Sequence, residues 1–359
     1  MKEINLLDLF SGTGGFTKGF LDAGYTIKNH YFSEIDKHAI ANYKYNFKKS
    51  IYYGSVTDVR GKRGEADIIT FGSPCQDFSL AGKRAGMEGQ RSSLILEAIR
   101  LIGEIRPSIF IWENVKGTFS SNNGADFWAI ISAFANIGNY RLEWQLLNTS
   151  WFLPQNRERI YLIGHLDGRS QPGVFPIQST NQYTFKTQST QNAPTIIAGY
   201  GKIPTDGFYI QSNTKKGYEE LKPGDSLNFS VPTSKTRRGR VGKGQAQTLD
   251  TQFNQGVIDK ITVRGGLQKN AATMTNLSPS LTSAMGMGGG HTPIINKIRR
   301  LTEIECERLQ GFPDNWTKYG IYDGEVKEVP KTQRYKMMGN AVTVKVVEEI
   351  AKKLKINKQ

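Results

Sequence analysis

Residues 4 to 24 read INLLDLFSGTGGFTKGFLDAG. The apolar run INLLDLF ends at glycines, as a strand buried in a parallel sheet would, and GGFTKGFLDAG then reads as a helix closed by Gly24. The same alternation continues for about 165 residues. NHYFSEI, SIYYGSV, ADIITFG, PSIFIWENV, YRLEWQLLN and ERIYLIGH read as further strands. KHAIANYKYNF, SSLILEAIRLIGEI and ADFWAIISAFANIG read as the helices between them. This order predicts a doubly wound α/β sheet, with ligands at the carboxyl ends of its strands.

The chain has 359 residues, which suggests two or three domains or one domain with a large insertion. No apolar run approaches the roughly 18 residues that span a bilayer, and MKEINLLDLF does not read as a signal peptide, so no membrane partner is expected. Two cysteines, Cys75 and Cys306, cannot build a disulfide framework, and with four scattered histidines they supply no metal site. A reducing, cytoplasmic setting is the simple inference. The net charge of +15 favours a polyanionic partner, chiefly nucleic acid; solubility alone is the plainer explanation.

Residues 1–165 form the expected first domain. From 166 to 297 the texture changes: Gly, Ser, Thr, Asn, Gln and Pro dominate, and APTIIAG, AQTLDTQ, NAATMTN and SPSLTSA look like short strands. Lysine and arginine exceed acids there by about eight, roughly half the excess of the whole chain, which marks a separate basic lobe. From 298 to 359 regular structure returns. RLTEIECERLQGF reads as a helix with Thr302 as cap and Gly311 at its end, and NAVTVKVVEEIAKKLKI as another. This last segment is expected to pack back on the first domain.

Gly12 and Gly14 let a cofactor approach the backbone near a helix start, and Glu34, about twenty residues after Gly14, can accept from ribose hydroxyls. These features indicate an adenosine-containing cofactor and leave NAD, FAD and S-adenosylmethionine open. Cys75, in FGSPCQDFS, follows the fourth strand at the expected sheet edge and is a candidate nucleophile. Cys306 reads as a buried small hydrophobe. Glu113 ends the fifth strand in IWENVKG as a candidate general acid, and Arg157 and Arg159, two apart in PQNRERIYLIG, share one strand face. The plain alternatives are a cap for Glu113 and structural ion pairs for the arginines.

The motifs DLFSGTGGF, SEID, GSPCQDFS, ENV, QNRERIYLIG, RRLTEIECERLQGFPD and MMGNAVTV, in this order, resemble the blocks of the DNA cytosine-5 methyltransferases and bracket nearly the whole chain. The resemblance implies a Rossmann-like methyltransferase sheet with a smaller, mainly β and loop, target-recognition domain in the basic lobe. It implies S-adenosyl-L-methionine as cofactor, with S-adenosyl-L-homocysteine as product, and double-stranded DNA as partner. Cys75 matches the residue that attacks carbon 6 of cytosine, Glu113 the one that protonates or hydrogen-bonds ring nitrogen 3, and Arg159 the one that holds the carbonyl oxygen, with Arg157 as companion. Phe10, Gly12, Gly14, Glu34, Asn340 and Val342 match cofactor-binding positions. Ile35 stands where some members carry an aromatic, and Ser55 where the family usually has an aspartate; both departures weaken the expected grip on adenine.

The target base must leave the duplex, and the glycine-rich SLAGKRAGMEGQR, with Lys83, Arg84 and Arg91, matches a loop that closes over DNA. In the basic lobe, Arg237, Arg238, Arg240 and Lys243 are candidate contacts to phosphate or guanine, unless they form a plain solvated face. SPSLTSAMGMGGG and AQTLDTQ compete for the family's small recognition segment. Family habit further suggests a monomer on DNA and a restriction endonuclease acting on the same site. Two other readings stay open: the related branch that methylates transfer RNA, which the large basic lobe fits less well, and a non-catalytic DNA-binding paralogue, against which Cys75, Glu113 and Arg159 argue.

Overall fold

The computed structural model describes residues 2–73, 93–179, 208–215, 218–222, 224–228, 240–251, 254–264, 273–275 and 294–357. The chain divides into two compact units. The first comprises Met1–Leu153, Arg157–Gln182 and Glu303–Gln359, and the second Pro154–Asn156 and Tyr183–Thr302.

The first unit opens with β1 (Lys2–Leu9), α1 (Gly15–Asp22), β2 (Tyr25–Ser33), α2 (Lys37–Asn46), β3 (Ile51–Tyr52) and β4 (Ile68–Gly72). It continues with α3 (Ser93–Ile105), β5 (Ile109–Val115), α4 (Ala125–Ala135), β6 (Tyr140–Asn148), β7 (Glu158–Leu166) and the short β8 (Ser170–Gln171). Seven strands form one sheet in the order β3-β2-β1-β4-β5-β7-β6. β1 to β5 pair in parallel, and β7 runs antiparallel to both β5 and β6. The strand order reverses beside β1, so the carboxyl ends of β1 and β4 flank the crevice where such sheets hold ligands.

Side-chain alternation assigns each face of this sheet to its own helices. Leu7, Leu9, Ile69, Phe71, Phe110 and Trp112 pack with Ala98, Leu101 and Ile102 of α3 and Ile130 and Phe134 of α4. Leu6, Ile68, Ile109, Ile111 and Ile163 face the other way, onto Phe16 and Phe20 of α1. That face is completed from the far end of the chain, by Val346, Val347, Ile350 and Ala351. Gly164 of β7 lies against the Phe110 ring, where a Cβ would fall 2.0 Å from Cε1.

The second unit is antiparallel. β9 (Phe208–Gln211) pairs with β10 (Tyr218–Leu221). β11 (Ser226–Asn228), β12 (Val241–Gly242), β13 (Gln255–Arg264), β14 (Thr273–Thr275) and β15 (Ile294–Arg300) form a sheet around β13. β11 and β14 pair along different stretches of β13, and β15 pairs with it as well, with a register shift between Ile258 and Thr262. NAATMTN contains β14, whereas the described part of AQTLDTQ holds no strand. APTIIAG and SPSLTSA lie outside the described residues.

The chain then returns with α5 (Glu303–Leu309), the hairpin β16 (Tyr319–Tyr322) and β17 (Glu325–Glu328), α6 (Lys331–Asn340), α7 (Val344–Lys353) and β18 (Lys355–Ile356), which pairs with β8. The single helix expected over 340–356 is a correction: α6 ends at Asn340, Ala341 is extended, and α7 starts only at Val344. The break has a cause. Val344 N donates to Gln310 O and Thr343 Oγ1 to Gln310 Oε1 at 2.9 Å each, so tertiary partners hold backbone and side-chain groups that a continuous helix would orient differently. The hairpin was overlooked in the sequence although it carries the strongest short signal, Asp323-Gly324, both at positive φ.

Candidate active site

The chain leaves β1 through three left-handed residues in five: Phe10 at φ 50, Gly12 at 53 and Gly14 at 84. Phe10 is the costly one, since a bulky residue is rarely found there. Gly12 N donates to Glu34 Oε2 at 2.8 Å, while Ile35 N and Asp36 N donate to Glu34 Oε1 at 2.8 and 3.0 Å. Glu34 therefore ties the β1–α1 loop to the β2–α2 turn. Asp36 caps α2 through His38 N and Ala39 N and meets Lys336 Nζ at 2.6 Å. Burial pulls its carboxyl up, but Lys336 and the helix donors outweigh that and hold it below the usual range.

A Cβ on Gly14 would fall 2.3 Å from Phe47, and one on Gly15 would fall 2.6 Å from Val342 Cγ1 and 2.7 Å from its carbonyl. The second contact seats the Asn340–Val342 segment against the start of α1. Gly12 has the opposite surroundings: among the described residues, nothing lies within 4 Å of where its Cβ would be. Beside it, Ser11 Oγ is buried with no hydrogen-bond partner among the described residues. Open space over a glycine and an unsatisfied hydroxyl suit a polar ligand lying on this loop, which is the test an adenosine-containing cofactor has to pass. Ile35 is 77% exposed and Ser55 Oγ pairs with Thr57 Oγ1 at 2.9 Å, so neither is committed to the core. Ser11 went unnoticed in the sequence; its place inside FSG was the available signal.

Beneath the loop lies a buried polar cluster that sequence reading also missed. Asp8 Oδ2 accepts from Thr17 Oγ1 at 2.9 Å and Tyr43 OH at 3.2 Å, and Oδ1 from Thr70 Oγ1 at 2.9 Å. His30 Nε2 lies 2.8 Å from Tyr43 OH. The cluster joins β1, β2, β4, α1 and α2 at the carboxyl end of the sheet.

Glu113 of β5 and Arg159 of β7 meet across adjacent strands, with Arg159 Nε 3.0 Å from Glu113 Oε1, and both are largely buried. Gly72 is the β4 register partner of Glu113, and a Cβ there would stand 3.0 Å from Oε2. A carboxyl with a guanidinium beside it at a sheet edge can hold a planar ring bearing a nitrogen and a neighbouring carbonyl. Arg157, expected as the companion of this pair, has another occupation. It is buried and donates from Nη2 to Ala341 O at 2.8 Å and from Nη1 to Gly339 O at 3.3 Å, bracing the segment that follows α6.

The profile of the family described as C-5 cytosine-specific DNA methylase matches residues 4–356. The chain belongs to that family. Among its relatives, the orphan methyltransferase M.SPRI of Bacillus phage SPR is 28% identical over 99% of this chain and 98% of its own. The type II methyltransferase M.NgoBI of Neisseria gonorrhoeae is 30% identical over 96% of this chain and 91% of its own. The crystal structure of S. pombe Dnmt2 methyltransferase shares the fold, with a TM-score of 0.54 and 17% identity over 96% of both chains.

For this methylase, several expected residues lie outside the described ones: Cys75, Lys83, Arg84, Arg91, Arg237 and Arg238. Arg240 is a correction. Its side chain is fully buried, and its backbone N–H donates to Glu219 Oε2 at 3.3 Å, so it is not a surface cation ready for phosphate. Lys243 is exposed but bound to Asp225 at 2.9 Å and to the Glu220 carbonyl. Cys306 is buried as expected, its thiol pushed up to about 12 by burial and then by Glu305, Glu303 and Glu307. At neutral pH it is a thiol rather than a nucleophile. No described helix is long and apolar enough to cross a membrane, and the described residues contain no cluster of metal-ligating side chains.

Proposed function

We propose that the protein methylates carbon 5 of a cytosine turned out of duplex DNA, through a transient bond to Cys75. The single observation that carries this reading is the Glu113–Arg159 pair at the sheet edge. S-adenosyl-L-methionine, when bound, supplies an electrophilic methyl group and departs as S-adenosyl-L-homocysteine. Gly12, Gly14, Phe10, Glu34, Ile35 and Ser55 are its proposed contacts on one side, and Asn340 and Val342 on the other. Glu34 Oε atoms already hold three backbone N–H groups, so its remaining lone pairs are the ones available to ribose hydroxyls.

Cys75 adds its sulfur to carbon 6 of the base, and the displaced electron pair moves toward ring nitrogen 3. Glu113 delivers a proton or a hydrogen bond to that nitrogen, and Arg159 holds the neighbouring carbonyl oxygen, so that carbon 5 becomes the nucleophile. After methyl transfer, loss of the proton on carbon 5 allows elimination, which restores the ring's double bond and releases Cys75. Arg157, by its bonds to two carbonyls, keeps the Asn340–Val342 segment in place. Arg237 and Arg238 of the basic lobe, together with Lys83, Arg84 and Arg91, are the proposed DNA-contacting set; Lys243, already held by Asp225, is not part of it. We further infer that the protein acts on DNA as a monomer and shares its site with a restriction endonuclease.

The test uses purified protein and methyl-labelled cofactor, with unmethylated duplex DNA and transfer RNA offered in parallel and modified cytosines mapped by bisulfite sequencing. Label confined to one short repeated DNA motif is the expected outcome, with Cys75→Ser inactive and Glu113→Gln slowed at least 100-fold, the loss typical of a removed general acid. Label on RNA alone, or full turnover by Cys75→Ser, overturns the reading.

A further inference from the structure

Ser73 follows β4 and precedes Pro74 and Cys75 in the sequence. Its hydroxyl accepts from Trp112 Nε1 at 3.0 Å and from Asn114 Nδ2 at 3.2 Å, and its carbonyl lies 3.4 Å from the same amide. All three residues are buried. Trp112 and Asn114 flank Glu113 in β5 and, because strand side chains alternate, both occupy the face opposite to it.

The two donors are themselves held. Asn114 Oδ1 accepts from Val115 N at 2.7 Å and Thr118 Oγ1 at 3.3 Å. The Trp112 ring packs against Phe134 of α4, with centroids 5.7 Å apart. Across the sheet face, Gly72 lies so close to Glu113 that any side chain there would displace the carboxyl. The β4 exit is thus gripped by β5 on one face and abuts Glu113 on the other. A residue that precedes proline is also confined to extended backbone, which removes the slack that could absorb a shift at Ser73.

We propose that Ser73 is a positioning residue: clamped by Trp112 and Asn114, it fixes where the chain sets off toward Cys75 relative to Glu113. The inference rests on the reading of Cys75 as nucleophile and Glu113 as its acid partner. A buried hydroxyl that accepts two donors is costly to remove, because two buried hydrogen bonds are lost together. Displacement of a reacting group by about 1 Å can slow a reaction on the order of 100-fold. The clamp therefore acts on the rate of attack and leaves the cofactor loop, built from β1, β2 and α1, untouched.

The full-length protein and its Ser73→Ala, Trp112→Phe and doubly substituted variants test this. The rate of covalent adduct formation is measured on duplex DNA carrying 5-fluorocytosine at the mapped target, since fluorine at carbon 5 blocks elimination and traps the sulfur–carbon bond. Cofactor dissociation constant and thermal midpoint are measured on the same samples. Each single variant is expected to form adduct about tenfold more slowly or worse, with cofactor affinity within about twofold of the parent. The double variant should be no slower than the slower single one, because the two residues act through one bond. Trp112→Phe leaves the Ser73 side chain in place and keeps an aromatic ring at the site, and the thermal midpoint reports the cost of the smaller ring. Adduct formation at the parent rate by Ser73→Ala, or losses that track cofactor affinity or thermal midpoint, overturns the proposal. Absence of adduct with the unsubstituted protein is a different result: it overturns the Cys75 mechanism itself.

Discussion

The Asp8 carboxyl, enclosed at the end of β1, is pushed up to about 7 by burial, against the lowering effect of its bonds from Thr70, Thr17 and Tyr43. His30, which meets the same Tyr43 hydroxyl, is pushed down to about 4 by burial. In the unfolded chain Asp8 ionises near 3.8 and His30 near 6.5. Protonated Asp8 therefore favours the fold at low pH, and that contribution is lost as pH rises from about 3.8 through about 7. Neutral His30 favours the fold above about 6.5, and that contribution is lost as pH falls toward 4. Asp8→Asn removes the first of these opposed slopes and keeps the second. Relative to the parent, the variant should gain up to about 4 kcal/mol between pH 4 and 7, since ten-fold in an ionisation constant corresponds to roughly 1.4 kcal/mol. Unfolding midpoints in urea across that range measure it, and a parallel pH profile for the two proteins would mean that Asp8 is ionised throughout. The motif DLFSGTGGF was legible as a strand ending in a glycine turn, but the polar partners of Asp8 come from other elements and no local pattern announces them.

At the scale of elements, α1 packs on α7 with no room for a side chain at Gly19. A Cβ on Gly19 would fall 2.6 Å from Cβ and Cγ1 of Val347. Gly19→Ala gains up to about 1 kcal/mol of helix propensity, yet the overlap is with a buried β-branched side chain that has little freedom to move. Overpacking is expected to win, with a net loss of about 1–3 kcal/mol. A lower urea midpoint with unchanged helix content by circular dichroism is the expected reading; a rise in midpoint would show that α7 can retreat. The strands and helices of the first 165 residues were legible because their apolar periods are strong. The break between α6 and α7 was not, because NAVTVKVV carries an acceptable helical pattern and tertiary partners, among them Gln310, Thr149 and Arg157, draw its first residues out of it.

For the whole molecule, the net charge of +15 predicts DNA binding dominated by phosphate contacts. Affinity for non-cognate duplex should fall on the order of 1000-fold between 50 and 200 mM salt if six or more phosphates are neutralised. Lys243→Ala should change the slope of log affinity against log salt by much less than the ~0.9 expected of one phosphate contact, since Asp225 already balances that charge. Titrations of a labelled duplex at several salt concentrations decide both points. A slope near zero would assign the excess charge to solubility alone. Composition marked residues 166–297 as basic, but it could not tell that Arg240 in SKTRRGRVGKG is buried.

By itself the sequence determined the α/β class, the glycine turn after the first strand and the family, because each of these is written in residues close together in the chain. The periodicity of INLLDLF and ADIITFG is a local property, and so is the clustering of glycines after Phe10. Only the tertiary structure decided that Glu113 meets Arg159, that Trp112 and Asn114 converge on Ser73, and that Arg157 braces the end of α6. Those contacts join segments adjacent in space but distant in sequence, and their partners are chosen by register and burial, which exist only after the chain has folded.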